Sequence, residues 1–480
     1  MKESVLDLGT NNANLGFFER IAISVSNWSE RWFPDSYIFA ALAVVLVALG
    51  ALGSGASVQS VAGAFGDGYW SLIPFTMQMA LVAISGYVVA VSPPASALIE
   101  KLASLPKTAR AAVTFVALIS MVLSLFNWAI SLVFSGLLVR ALGRRTSLKM
   151  DYRAAGAAAY LGMGATWALG LSSAAAQLQA NPASLPASIV EITGIIPFSQ
   201  TIFLWQSMAM AVVLIVVSLL VAWFSTPGET RARTAQDMGI DLSVDDNSLS
   251  APRRPGEWLE YSPILTLLLV ALGAVWLFKE FSTKDPIFAI SSLNTYNFLF
   301  LMLGMLLNWR PKRFLNAIAK SVPSVAGVLI QFPLYGAIAF MMTKAQGIDG
   351  ATLSHHIASV FVAIADSESF AVVMGVYSAV LGFLIPSGGG KWIIEAPYVM
   401  QAANELQVNL GWAVQVYNAA EALPNLINPF WMLPLLGVLG VKARDVVGFT
   451  FTQLLVHTPL VLVMLWAFSK TLDYLPPVMP

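Results

Sequence analysis

Five consecutive residues, Ser387-Gly388-Gly389-Gly390-Lys391, combine exposed backbone amides with a full positive charge. Amides without side chains in the way form a nest that suits an anion, and a helix N-terminus adds to the attraction. A monocarboxylate or a dicarboxylate is the natural guest. The competing reading is a tight turn that merely needs glycine, with Lys391 snorkelling outward. Further on, Glu421 sits deep in an apolar run, with Asn418 and Asn425 about one helical turn to either side. Pro424 and Pro429 break that helix. Asn418, Asn425 and Asn428 are expensive in lipid unless they face protein or water. A carboxyl group there can carry a proton or hold a coupling ion. Otherwise it is a salt bridge, to Lys391 for instance, that only holds helices together.

The first half carries a parallel set. Asn127 can bind a carboxylate or an ion, and Trp128 can wall an apolar tail; the alternative is a satisfied turn Asn and a packed Trp. Ser172 and Ser173, within Gly164–Gln177, can meet substrate or Na+, or bond back to their own helix. The candidate substrate ligands are therefore Asn127, Trp128, Ser172, Ser173, Ser387, Gly388, Gly389, Gly390, Lys391, Asn418 and Asn425. Glu421 and Asn428 are the candidates for a coupling ion or proton. His457 reads as a structural hydrogen-bond partner, and Asp366 and Glu368 as a solvated entrance. No catalytic residue, resident metal or cofactor is expected; Na+ is considered only as a coupling ion.

These residues need a membrane scaffold. Of 480 residues 57% are hydrophobic and 11% charged, with mean hydropathy +0.73, which indicates an all-α polytopic membrane protein. Net charge is zero, with no basic block, so nucleic acid is an improbable partner. The absence of cysteine excludes disulfides and thiol chemistry. Residues 1–20 are polar and lack a signal-peptide apolar core, so the first span is expected to act as an uncleaved signal.

Spans are expected near Tyr37–Gly53, Tyr69–Val91, Ala154–Gln179, Thr201–Phe224, Trp258–Phe278, Pro286–Asn308, Ser324–Thr343, Gly411–Gly437 and Val446–Phe468. Two stretches, 111–139 and 369–400, do not fit as single crossings. Basic residues flank the first on both sides, Lys101, Lys107 and Arg110 before it and Arg140, Arg144, Arg145, Lys149 and Arg153 after it. Lys and Arg in short loops favour the cytoplasm. The stretch should therefore enter and leave on one side, as a hairpin tipped near Asn127 with arms of about half a bilayer each. The same bookkeeping makes 369–400 an outer hairpin.

The implied plan is an interfacial helix in 1–35 on a face of Phe17, Phe18, Ile21, Val25, Trp28 and Trp32, then a first repeat, 36–224, with a broken helix over 154–179. A mobile cytoplasmic linker and one connecting helix follow over 225–285. An inverted second repeat spans 286–468, with a broken helix over 411–437, and the tail is 469–480. Phe314, Ile318 and Val322 suggest a second interfacial helix. The N-terminus is expected inside and the C-terminus outside. Inverted repeats with interrupted helices are a common build for secondary transporters.

PSGGGKWIIEAPYVM (Pro386–Met400) and GWAVQVYNAAEALPNLINPFWMLPLLG (Gly411–Gly437) resemble the bacterial short-chain fatty acid transporter family. FPDSYIFA (Phe33–Ala40), PFTMQMAL (Pro74–Leu81), SPP (Ser92–Pro94), FNW (Phe126–Trp128) and QFPLYGAI (Gln331–Ile338) are similar as well. The resemblance implies a non-enzymatic, multi-pass inner-membrane carrier with paired hairpins and an elevator mechanism. It further implies import of acetoacetate, butyrate or similar acids and a homodimer, with Glu421 or a bound Na+ supplying H+ or Na+ symport. The first half departs from the family pattern: Ala168 follows Trp167 where a histidine is expected, Ser172–Ala176 lacks a proline, and Ala129-Ile130-Ser131 replaces glycines. Those departures bear on which acid is carried. The alternatives are a carrier for a dicarboxylate or an aromatic acid, and an intramembrane enzyme, which the lack of a metal cluster or Ser/His dyad disfavours.

Overall fold

A computed structural model describes residues 36–243, 252, 254–348, 350–385 and 387–478. The expected interfacial helix of 1–35 lies outside the described residues. The described chain is a stack of helices joined by short turns, with six helices long and apolar enough to cross a membrane. Their burial is uneven in the way a bilayer demands. Ile264–Thr283 buries only Thr266 and Gly273 and exposes large apolar side chains such as Leu268, Leu272 and Val275. Leu410–Asn425, which carries Gln415, Asn418, Glu421 and Asn425, is buried at every position. Polar groups sit where protein surrounds them and apolar ones face outward.

Both irregular stretches are helix pairs with a sharp turn. The first hairpin is Ala109–Phe126 and Trp128–Gly143, turning at Asn127. The second is Phe370–Leu384 and Gly388–Glu405. The first pair's arms measure 18 and 16 residues, about 27 and 24 Å at 1.5 Å per residue. They are longer than the half-bilayer arms expected, and Ala109–Phe126 alone is long and apolar enough to cross a membrane.

Each hairpin leads to a broken helix. Tyr152–Leu161 passes through a π-helical turn, Gly162–Thr166, and a tight turn, Trp167–Leu169, then stops; the chain resumes as Ala174–Gln179. Leu410–Asn425 ends where Pro424 and Pro429 remove amide donors, and Pro429–Leu439 continues beyond it.

Several boundaries differ from the expected spans. Tyr69–Val91 is two elements, because Val58–Ser71 ends at Leu72 and Ile73–Ala90 starts anew with Pro74 in its first turn. Trp258–Phe278 splits at Ser262-Pro263, since a residue before proline leaves the α region. Helices Pro93–Ala103 and Leu353–Ile364 were not foreseen; both are too short to register as spans. Pro311–Ser321 forms the expected amphipathic helix, burying Ala317 and Ser321, while Val322 beyond it is exposed.

Of the linker, residues 226–243 are bonded to the first hairpin and its following helix, and 244–251 and 253 lie outside the described residues. The Arg140 guanidinium donates to the carbonyls of Asp241 (3.0 Å), Ser243 (3.2 Å) and Val438 (3.2 Å). Asp151, fully buried, accepts from the Arg233 and Ala154 amides and pairs with Arg153 at 2.8 Å. Asp151→Ala removes a helix cap and strands Arg153 together. It should cost about 3 kcal/mol or more, measured as a lowered thermal midpoint of the purified protein in detergent.

Candidate functional site

The two hairpin tips are built alike. Asn127 is extended and caps the second arm, its Oδ1 accepting from the Ala129 and Ile130 amides at 3.0 Å each. Ser387 is extended too and caps Gly388–Glu405 by accepting from the Gly390 amide at 3.2 Å. Each tip therefore presents a helix N-terminus, the positive end of the dipole, inside the protein. The Phe126 carbonyl at the first tip accepts from the Tyr296 hydroxyl at 2.5 Å. Gly86 lies against Asn127, where a side chain would collide with the amide. Asn127 is fully buried, yet its Nδ2 has no partner.

The glycine run is more crowded than an open nest. A Cβ on Gly388 would meet the Trp167 ring, on Gly389 the Phe75 ring and on Gly390 the Tyr335 ring. Phe75 stacks on Phe332 with centroids 5.6 Å apart, and Phe332 abuts Tyr335 at 5.8 Å. The glycines serve close approach of aromatic rings as well as bare amides. The Gly388 carbonyl accepts from the Tyr417 hydroxyl at 2.6 Å, which ties the tip to the second broken helix.

Lys391 does not snorkel. It is wholly buried, and its ammonium donates to the Ser378 hydroxyl (2.6 Å), the Ser378 carbonyl (3.0 Å) and Glu395 Oε1 (2.8 Å). Those three bonds use its three donors. Glu421 Oε2 stands 3.0 Å from the same nitrogen as an ion pair, but neither of its oxygens has a hydrogen bond. The Lys391 nitrogen also lies 4.3 Å from the Tyr417 ring centroid, and Tyr417 packs on Trp392 at 4.7 Å. Glu421 thus has the ion-pair partner that the structural reading named.

The breaks converge. Ser173 Oγ caps Ala174–Gln179 by accepting from Ala176 and donates to Asn418 Oδ1 at 2.9 Å. The Asn418 amide in turn donates to Gln415 Oε1 at 3.0 Å. Gly164 of the π-helical turn lies against Leu426, and Gly170 against the backbone of Leu125 at the first tip. Gly382 of the second hairpin lies against Pro424 and Glu421, and Asn428 Nδ2 donates to the Phe383 carbonyl at 3.4 Å. Each hairpin therefore seats on the break that follows it, and the two breaks seat on each other.

Polar atoms without partners mark this centre. Asn425 is fully buried, and neither end of its amide is bonded. Ser172 Oγ, Trp167 Nε1, Gln415 Nε2 and Trp392 Nε1 are buried without partners as well. Native interiors rarely leave such groups unpaired; buried atoms of Thr114, Gln206 and Gln453 away from this centre are unpaired too. Two candidates sit apart. Trp128 packs edge-on against Trp431 at 5.5 Å, and among the described residues no bond joins Asn127 to Ser387–Lys391. His457 is held by Ser218 at 3.0 Å, a buried Ser–His contact where the sequence suggested no such pair.

Sequence reasoning missed Glu395, Ser378, Trp167 and Gln415 as site residues. Glu395 was legible, since it lies four residues after Lys391 on a helix, the spacing of an ion pair. A hydroxyl cluster was also missed. Ser120 and Ser131 meet at 3.2 Å, Ser124 and Thr166 at 2.8 Å, and the Gly162 amide donates to Ser120. It clamps the first hairpin to the π-helical turn and has no slack for a guest, as Gly162 already lies against both Ser120 and Ser131.

A family profile described as Short chain fatty acid transporter matches residues 17–468. An Escherichia coli (strain K12) protein is 34% identical over 438 residues, covering 91% of this chain and 96% of its own length. A Haemophilus influenzae protein is 30% identical over 458 residues, covering 93% and 99%. Both carry the provisional name short-chain fatty acid transporter. Among solved structures, the Alcanivorax borkumensis YdaH transporter, whose topology is described as unusual, superposes with TM-score 0.53 at 16% identity, covering 94% of this chain and 98% of that one. Neisseria gonorrhoeae MtrF, of a class of antimetabolite efflux pumps, gives TM-score 0.53 at 15% identity, covering 95% and 100%. These two likenesses are of fold.

Proposed function

The chain belongs to the short-chain fatty acid transporter family, and from that we propose that it is a secondary active carrier of short monocarboxylates such as acetoacetate and butyrate. The observation that carries the reading is the set of buried, unpartnered polar atoms where the second tip's helix N-terminus and the two helix breaks meet. The carboxylate takes the amides of the second tip and Asn425, with Ser172 and Gln415 completing the polar wall. The rings of Phe75, Trp167 and Tyr335 bound the space for the tail, which keeps the acid short. The hairpins and broken helices move together as an elevator against the remaining spans, in a homodimer in the bacterial inner membrane, driven by H+ or Na+.

Uptake of radiolabelled acetoacetate into proteoliposomes, with pH and Na+ gradients imposed separately and empty liposomes subtracted, tests the carrier. Uptake dependent on neither the protein nor a gradient overturns it. A competition panel of dicarboxylates and aromatic acids tests the substrate class, and a search for chemically altered acid tests the enzymatic alternative. Asn425→Ala should weaken acetoacetate counterflow by about tenfold, the worth of one buried polar contact of roughly 1.4 kcal/mol. It should leave the thermal midpoint in place, because Asn425 bonds no protein group. Unchanged counterflow would remove Asn425 from the site.

The orientation proposed puts the hairpin of 109–143 on the cytoplasmic side and that of 370–405 outside, as inverted repeats. The chain has no cysteine, so single cysteines report cleanly. Glu191→Cys should react with a membrane-impermeant maleimide from outside and Glu229→Cys only after the membrane is opened. The reverse pattern turns the topology over.

A further inference from the structure

We propose that Lys391, Glu395 and Glu421 form a one-proton switch in which protonation of Glu421 frees the Lys391 charge to face a substrate carboxylate. The inference deepens the carrier reading and rests on it for the identity of the anion. All three side chains are wholly buried, with Glu395 Oε1 2.8 Å and Glu421 Oε2 3.0 Å from the Lys391 nitrogen. One ammonium and two carboxylates sum to one negative charge. A staple between helices needs only a neutral pair, and a buried net charge is costly. The second carboxylate is therefore unexplained by architecture.

The geometry separates the two carboxylates. Lys391 spends its three donors on the Ser378 hydroxyl and carbonyl and on Glu395. Glu421 keeps the charge attraction but no hydrogen bond. It is the less firmly held of the two and the one that takes up the proton. Other titratable groups face the cluster from every neighbouring helix. They are Tyr335 from Ala326–Lys344, Tyr377 from Phe370–Leu384, Tyr398 from Gly388–Glu405 and Tyr417 from Glu421's own helix. None is a second cation. His355 lies at a far end of the packing, on Gln401, and His457 is engaged by Ser218.

The charge count then links anion to proton. With both carboxylates ionised, Lys391 is over-neutralised and repels an incoming anion. One proton on Glu421, forming its O–H bond, makes the cluster neutral, and Lys391 then has one carboxylate rather than two against it. Anion and proton enter together, and deprotonation of Glu421 on the other side expels the acid. No oxidant, reductant or covalent step is involved.

The experiment is infrared difference spectroscopy on the full chain in proteoliposomes. A protonated-carboxyl C=O band should appear on adding acetoacetate at fixed pH, shift in D2O, and be absent from Glu421→Gln. In wild type the apparent Kd for acetoacetate should weaken by up to about tenfold per pH unit rise, the slope of one linked proton. In E421Q that slope should vanish, whatever the absolute affinity, and Glu421→Asp should restore it with a shifted midpoint. Replacing Na+ by choline should change nothing. A band that survives in E421Q, a flat pH dependence in wild type, or binding that follows Na+ instead overturns the switch. If wild type shows no acetoacetate counterflow, the carrier reading fails. The pH-titrating band, tested without substrate, still decides whether Glu421 holds a proton.

Discussion

Lys391→Ala should abolish transport and be the most damaging single substitution in the chain. It leaves Glu395 and Glu421 facing one another in a dry interior with no cation, and it strips the Ser378 hydroxyl and carbonyl of their donor. Removing one member of a buried pair costs about 3–5 kcal/mol, most of it the uncompensated charge left behind. That is comparable to the whole stability margin of many folds. Thermal melting in detergent and the yield of monodisperse protein should both drop sharply. The triple variant Lys391→Ala, Glu395→Gln, Glu421→Gln should regain most of the lost stability, because no charge remains to strand. It should not regain uptake. Recovery of uptake would mean that the cluster only holds helices together, and a fully stable Lys391→Ala would mean that the carboxylates find another cation.

How much of this centre could be read from residues alone depended on the kind of signal. Arg140 to Arg153 on one side and Lys101 to Arg110 on the other forced the first hairpin, because a single crossing would strand charge, and the turn falls at Asn127. Pro424 and Pro429 located the second break because a missing amide donor is a local fact. Pairings between distant segments were not legible. Nothing near Ser173 in the chain points to Asn418, 245 residues away. Nor does anything near Gly388 point to Trp167, Phe75 or Tyr335, so the glycine run looked open when rings in fact close over it. The short helix Leu353–Ile364 escaped because a 12-residue apolar stretch does not span a bilayer, although Leu353, Ile357, Val360, Phe361 and Ile364 recur at helical spacing. Snorkelling of Lys391 is ruled out by Glu395, which lies four residues on at ion-pair spacing and holds the ammonium inside.

The rings around the glycine run lead to the second large effect. Gly388→Ala should reduce uptake more than tenfold, and for a reason separable from anion binding. Its added Cβ would overlap the far edge of the Trp167 ring, and neither a helix N-terminus nor a buried indole yields easily. Overpacking of this kind costs about 1–3 kcal/mol, and it acts at the tip itself, where Tyr417 grips the Gly388 carbonyl. Gly437→Ala, with nothing within 4 Å of the new atom, should be close to neutral and controls for lost chain flexibility. The decisive variant is the pair Gly388→Ala with Trp167→Phe. The smaller ring vacates the volume that the methyl needs, so uptake and thermal midpoint should recover together relative to Gly388→Ala alone. If the glycine served only to expose an amide to the carboxylate, shrinking Trp167 would restore nothing. The coupling between the two sites would then vanish in a double-mutant cycle.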